Sequence, residues 1–209
     1  MKPLKGLLIL GFGGHARSVA DVALSVGIPQ LCFIDSNARP GEMFCSFPVK
    51  AAFDFELEEG WAAISASGNN LKRAEHVAWL EGNGLPVATL ISSFATIGVG
   101  AQIAVGSFVA HHAHVGPMAT IGAGCIINTG AVVEHECAIG AFTHVSVNSV
   151  VAGRSSVGNR CFIGAGATVI DGINLANDIV LGAGGCATRD LDTGGVYVGV
   201  PAKRVGPIS

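Results

Sequence analysis

The stretch IGAGCIINTGAVVEHECAIGAFTHV, residues 121–145, carries an aliphatic side chain at every sixth position: Ile121, Ile127, Val133, Ile139 and Val145. The same return begins at Ile91 and passes through Ile97, Ile103, Val109 and Val115. It continues through Val151, Val157, Ile163, Val169 and Leu175 to Leu181, opening sixteen consecutive hexads. The fifth position of each hexad is mostly small, as in Ala95, Ala113, Cys125, Ala131, Cys137, Ser149, Cys161 and Ala167; Ile173 and Ile179 depart. A helix returns near 3.6 residues and a lone strand at 2, so a strict six belongs to neither. It fits a solenoid of short strands separated by tight bends, each unit burying its apolar face only against its neighbours.

The rest of the composition agrees with such a chain. Half of the 209 residues are hydrophobic, 13% are charged, and 30 are glycine. No apolar run reaches the length of a membrane span. A net charge of −3 gives no electrostatic footprint for nucleic acid or an anionic membrane. The opening Met1-Lys2-Pro3-Leu4-Lys5 with its apolar run mimics a signal peptide but lacks a cleavage-site pattern, so it reads as the first strand of a cytoplasmic protein. The six cysteines form no CxxC pair, and Cys125, Cys137 and Cys161 occupy the small inward slot. They read as buried free thiols behaving as small hydrophobes.

Residues 1–90 read as a separate small α/β domain, and 91–209 as the solenoid with its tail. Leu7 to Leu10 is a buried strand. Ala16, Val19, Ala20, Ala23 and Leu24 mark one helical face, closed by Gly27. Leu31 to Ile34 is a second strand ending at Asp35, and Trp61 to Ala66 a third. Asn69 or Asn70 caps a helix whose apolar face includes Leu71, Ala74 and Ala78. Together these form a βαβαβ unit, half of a doubly wound fold.

Between the first strand and helix lies Gly11-Phe12-Gly13-Gly14-His15-Ala16. The backbone amides of such a loop, backed by a helix N-terminus, hold a phosphate or pyrophosphate. The alternative is a plain tight turn. Asp35 follows where an acid contacts a ribose or base. Half a doubly wound unit points to a nucleotide-diphosphate ligand rather than a dinucleotide.

The polar outliers of the solenoid are His111, His112, His114, His135 and His144. Any one of them can be structural. His135 stands apart because Glu134 and Glu136 flank it in a stretch nearly free of charge. An imidazole oriented by a carboxylate is a usual general base near neutral pH.

The block Asn128-Thr129-Gly130-Ala131-Val132-Val133-Glu134-His135-Glu136-Cys137, followed by His144-Val145-Ser146 and a Gly199-Val200-Pro201-Ala202-Lys203 tail, resembles the hexapeptide-repeat acyltransferases. With the Gly13-Gly14-His15 loop in front, the chain resembles the nucleotide-sugar N-acetyltransferases that act on 4-amino-4,6-dideoxy sugars; sialic acid O-acetyltransferases are near relatives. The resemblance implies a left-handed parallel β-helix, a homotrimer, acetyl-CoA as donor and a nucleotide-diphosphate amino sugar as acceptor, with no metal. It assigns His135 as general base and Glu136 as the carboxylate that supports it. His144, Gly153, Ala165, Ala183 and Lys203 fall on the acetyl-CoA side. Gly13, Gly14, His15, Asp35, Ser36 and Gly68 fall on the nucleotide-sugar side; Ser36 stands where some members carry a second acid.

Three hexads make a triangular coil of 18 residues, so Ala165 stacks under Ala183 and His135 beside Gly153. Gly153 is expected to be open beside the base. His135 and His144 lie half a coil apart, on different faces, and can serve one site only across a subunit boundary. Two other readings remain: a sugar O-acetyltransferase, or a zinc hydratase with His111, His112, His114 or His135 as ligands. A non-catalytic ligand-binding trimer is a third.

Overall fold

A computed structural model describes residues 4–208; Met1–Pro3, and with them the start of the signal-like segment, lie outside the described residues, as does Ser209. The N-terminal unit runs β1 (Gly6–Leu10), α1 (Gly14–Ser25), β2 (Gln30–Ile34), β3 (Met43–Phe44), β4 (Phe47–Lys50), β5 (Trp61–Ser65) and α2 (Asn70–Gly82). Its sheet has the order β3-β4-β2-β1-β5, with β1 parallel to both β2 and β5. The antiparallel β3–β4 hairpin adds an edge that the hydrophobic pattern did not announce.

Strand alternation sends Leu7 and Ile9 to one face of the sheet and Leu8 and Leu10 to the other. The first face is covered by Ala16, Val19, Ala20 and Ala23 of α1, and Phe108, Ala110 and Ile126 of the solenoid join the same core. The second face meets Leu80 of α2 and the loop bearing Phe53, Phe55 and Leu57. Gly27 closes α1 with a φ of 85° and an N–H bonded to the Leu24 carbonyl. Asn69 caps α2, its side chain accepting from the Lys72 N–H at 3.0 Å. The expected face of α2 is corrected: Arg73, Val77 and Leu80 are buried, whereas Leu71 is 62% exposed. A buried arginine displaced the simple apolar reading.

From Leu90 onward the chain forms a β-solenoid of three parallel sheets. The register is uniform: His114 lies beside Val132, Thr120 beside Ala138 and Ile126 beside His144, each pair 18 residues apart. The hexad aliphatics from Val109 to Leu181 are buried inside. At the first coil they are not, and Ile97 is 41% exposed; a terminal coil has a neighbour on one side only. The strict period ends at Leu181. There Ile179–Leu181 pairs with Gly195–Val198, which turns back antiparallel through Lys203–Gly206.

The small inward slot does more than save space. Ser107, Cys125, Thr143 and Cys161 each donate to the carbonyl 15 residues on, at 2.9, 3.1, 2.7 and 3.1 Å. Cys137 and Ser155 do the same on a second edge. The thiols are therefore hydrogen-bonding rungs as well as small hydrophobes, and burial pushes Cys125 and Cys161 up to about 11.

Candidate active site

Gly11 has a φ of 106° and so needs glycine. Gly13 and Gly14 do not: their φ values are not positive, and an added Cβ at either would meet nothing within 4 Å. Neither backbone strain nor internal packing requires those two glycines, so the open space over the N-terminus of α1 is available to something from outside. Asp35 accepts the Phe12 N–H at 2.9 Å on Oδ2 and the Asn37 N–H at 2.9 Å on Oδ1. The Asn37 amide, then the Phe12 amide, hold this carboxyl below the usual range against partial burial. Asp35 is thus both a loop anchor and an ionised acceptor at the C-terminal ends of β1 and β2. Ser36 is exposed beside it.

His15, at the start of α1, is half-buried and edge-on to Phe108, with ring centroids 5.1 Å apart. Its Nε2 is buried without a hydrogen-bond partner among the described residues. Burial, and then the Arg73 charge, lower its pKa to about 4. His144 lies 6.2 Å away ring to ring, on the solenoid face that the α/β unit covers, and burial with Arg73 lowers it to about 3. Both imidazoles are neutral at pH 7. The Asn128 oxygen accepts the Thr129 N–H, which turns the Asn128 Nδ2 to donate to His144 Nε2 at 3.0 Å. His144 Nδ1 then faces the Gly68 carbonyl at 3.4 Å.

Arg73 holds this junction. It is 1% exposed, has no carboxylate partner among the described residues, and donates to the carbonyls of Ser67, Gly124 and Phe142 and to Asn70 Oδ1 at 2.6–3.0 Å. Burial brings it down to about 10. Asn70 Nδ2 adds bonds to the Arg160 and Cys161 carbonyls. Loop 67–70, with Gly68 in it, is thereby fixed against the solenoid. The sequence reading assigned no role to Arg73 or Asn128: nothing local to Arg73 marks the acceptors it reaches. The signal for Asn128 was an amide in a hexad slot that glycine often fills.

His135 stands elsewhere, on the corner between the other two sheets. Its Nδ1 lies 3.2 Å from Glu136 Oε2, and both side chains reach solvent. The expected column is present, with one correction. Gly153 is not an open space, because an alanine Cβ there would fall 2.5 Å from His135 Nε2 and 3.1 Å from Asp171 Oδ1. The glycine is the floor on which the imidazole lies. Asp171 is tied in turn to Arg154 at 2.8 Å.

Ala165 and Ala183 are exposed and stacked on another corner, between the sheet that carries His144 and the sheet that carries Val132 and Val133, the Gly184 N–H bonding the Ala165 carbonyl. Lys203 is exposed in the closing hairpin. One copy of the chain thus brings together His15, Gly68 and His144, and leaves His135 with Glu136 and Gly153 on a different corner. Two further histidines have local partners: His111 sits between Ser92 and Asp21, and His114 meets Thr96. Among the described residues no group of three or more His, Cys, Asp or Glu is placed to hold a metal ion, and no helix is long and apolar enough to cross a membrane.

A β-solenoid with a corner histidine–carboxylate pair, joined to an α/β unit with an open glycine loop, defines an acyltransferase of the hexapeptide-repeat class. The family model described as the PglD N-terminal domain matches residues 6–80. The comparison with curated proteins found no match. Among solved structures, the acetyltransferase domain of PglB from Neisseria gonorrhoeae FA1090 superposes with a TM-score of 0.91 at 29% identity, covering 96% of this chain and 100% of that one. The same domain in complex with acetyl coenzyme A gives 0.89 at 28% identity, over 97% and 100%. A histidine-to-alanine variant of GDP-perosamine N-acetyltransferase from Caulobacter crescentus, in complex with CoA and GDP-perosamine, gives 0.88 at 33% identity, over 96% and 97%. The chain belongs to this family of nucleotide-sugar N-acetyltransferases.

Proposed function

We propose that the protein transfers the acetyl group of acetyl-CoA to the 4-amine of a nucleotide-linked 4-amino-4,6-dideoxy sugar, with His135 as general base. The observation that carries this reading is the His135–Glu136 pair at 3.2 Å. A proton held on Nδ1 by the carboxylate leaves the Nε2 lone pair free for the amine proton. The amine attacks the thioester carbonyl, the tetrahedral oxyanion collapses, and CoA departs as the thiol. Such a base contributes about 10²–10⁴-fold, and alignment of the two substrates contributes more. The inward, raised thiols of Cys125 and Cys161 are unsuited to an acyl-enzyme.

The acceptor's nucleotide would occupy the α/β unit, with Gly13, Gly14, His15, Asp35, Ser36 and Gly68 around it. Ala165 and Ala183 give a narrow track for pantetheine, and Lys203 a cation near its far end. His15, Gly68 and His144 lie apart from His135 within one copy, which supports a homotrimer whose sites are completed by neighbouring subunits. Acetyl-CoA and nucleotide sugars are cytoplasmic metabolites, and the free cysteines suit that compartment.

The test is His135→Ala, assayed with acetyl-CoA and a 4-amino-4,6-dideoxy nucleotide sugar. A fall in kcat/KM of at least about 10²-fold is expected, with the folded state intact. Wild-type turnover would remove His135 from the role.

A further inference from the structure

A cavity of about 310 Å³ opens at the C-terminal ends of β1 and β2, on the α2 side of the sheet. Its chemically distinctive lining is Asp35, Ser36, Phe53, Lys72, His76 and Trp79. It adjoins the Gly11 turn, and ligands of open α/β sheets bind at this end of the strands. Phe53 and Trp79 stand perpendicular, with ring centroids 5.8 Å apart, and Trp79 is 42% exposed although it is large and apolar. The exposed indole, braced edge-on by Phe53, gives a planar base one flat surface to stack on.

The polar groups define which base. Ser65, 3% exposed, places its hydroxyl 3.0 Å from His76 Nδ1. The Ser67 N–H already approaches that oxygen. If His76 Nδ1 also donated to it, the hydroxyl hydrogen would have no acceptor in a buried position. The hydroxyl therefore donates to Nδ1, and the His76 proton resides on Nε2, which has no protein partner among the described residues. Lys72, one helical turn before it, offers an ammonium that is in no ion pair among the described residues.

Among the described residues Asp35 is the only carboxylate lining the cavity. It already accepts from the Phe12 N–H, the Asn37 N–H and the Asn37 side chain. A carboxylate has about four acceptor sites, so roughly one remains. The neighbouring position is Ser36, a neutral hydroxyl. Beside the Ser36 hydroxyl and the Trp79 indole N–H, the cavity thus presents the His76 and Lys72 donors on one helix face and one free carboxylate acceptor on Asp35.

Uracil and thymine carry the complement: a ring N–H flanked by two carbonyls. Guanine instead sets two donors, its ring N–H and exocyclic amine, beside one carbonyl, and would call for a carboxylate with both oxygens free. We propose that this cavity selects a nucleotide sugar whose base is uracil or thymine, with His76 and Lys72 donating to the two carbonyls and Asp35 accepting the ring N–H. The inference rests on the α/β unit being the nucleotide-sugar site.

Binding of free UDP, dTDP, GDP and ADP to the full-length protein, followed by calorimetry, tests it. UDP or dTDP should bind at least about 10-fold tighter than GDP and ADP. His76→Leu should erase most of that preference while leaving the KM for acetyl-CoA unchanged, and His76→Gln, which keeps a donor, should restore part of it. A thermal melt on each variant separates lost recognition from lost folding. GDP or ADP binding as tightly as UDP and dTDP overturns the base assignment, as does an unaltered ranking in a folded His76→Leu. Binding by none of the four would overturn the nucleotide site itself, and this inference with it.

Discussion

Replacing Gly153 by alanine sets a methyl group 2.5 Å from Nε2 and 2.6 Å from Cε1 of His135. Contact between such atoms is comfortable near about 3.5 Å, so the overlap is about 1 Å. Gly153 does not have a positive φ, and the backbone itself accepts the change. What must move is the imidazole, a half-exposed side chain, together with the Asp171 carboxylate. Forcing the ring off its rotamer costs about 0.5–1.5 kcal/mol, so the protein should stay folded with a small loss of stability. Displacing a reacting group by about 1 Å costs on the order of 10²-fold in rate. Gly140→Ala supplies the contrast, since its Cβ would fall 2.5 Å from the Gly158 backbone and 2.6 Å from the Asn159 nitrogen. There the coils themselves must part, and the loss should fall on stability. Steady-state kinetics and thermal unfolding on both variants separate the two effects. A folded Gly153→Ala enzyme with wild-type kcat/KM would refute the placement of the base.

Other outcomes follow from the junction and the core. Arg73→Met strands three carbonyls and the Asn70 oxygen in a buried place, and should lower stability by about 3–5 kcal/mol in chemical denaturation; a loss below about 1 would contradict its role as the staple. His15 and His144 are held at about 4 and about 3, below the ordinary 6.5. As pH falls below about 6.5 the unfolded chain takes up protons first, so this contribution is intact above 6.5. It is lost toward pH 4 and then 3, at about 1.4 kcal/mol per pH unit per histidine. A urea midpoint that stays flat between pH 7 and 5 would contradict this. Cys161→Ala removes a rung bonded to the Ala176 carbonyl at 3.1 Å and should cost about 1 kcal/mol beyond the lost volume. Cys161→Ser keeps a donor and should unfold at higher urea than the alanine variant; the reverse order would discredit the ladder.

The solenoid was legible because its rule is local and repeated. Each coil needs the same inward aliphatic, from Val109 to Leu181, and no distant partner alters that demand. The His135–Glu136 pair was legible for a similar reason, since adjacency in sequence sufficed to bring them together. Arg73 was not legible, because its acceptors at Gly124 and Phe142 lie far along the chain and exist only once the two units dock. The same docking buries His144, whose position in the hexads told its face but not what would cover it. Asp35 read as a ligand contact, yet much of its capacity goes to the Phe12 and Asn37 amides. Gly153 read as open space because the column predicts proximity, not which side chain fills it.

The most direct test of the account is complementation between two inactive variants, His135→Ala and His144→Ala. His144 holds Asn128 and the Gly68 loop, so its loss should lower turnover at least about 10²-fold, as should the loss of His135. Purified separately, each should be nearly inactive; mixed and allowed to exchange subunits, they form interfaces where an intact His135 from one copy meets an intact His144 from another. Acetyl transfer should then reappear in the mixture. Mixed oligomers that form and stay inactive would contradict a site shared between neighbouring copies.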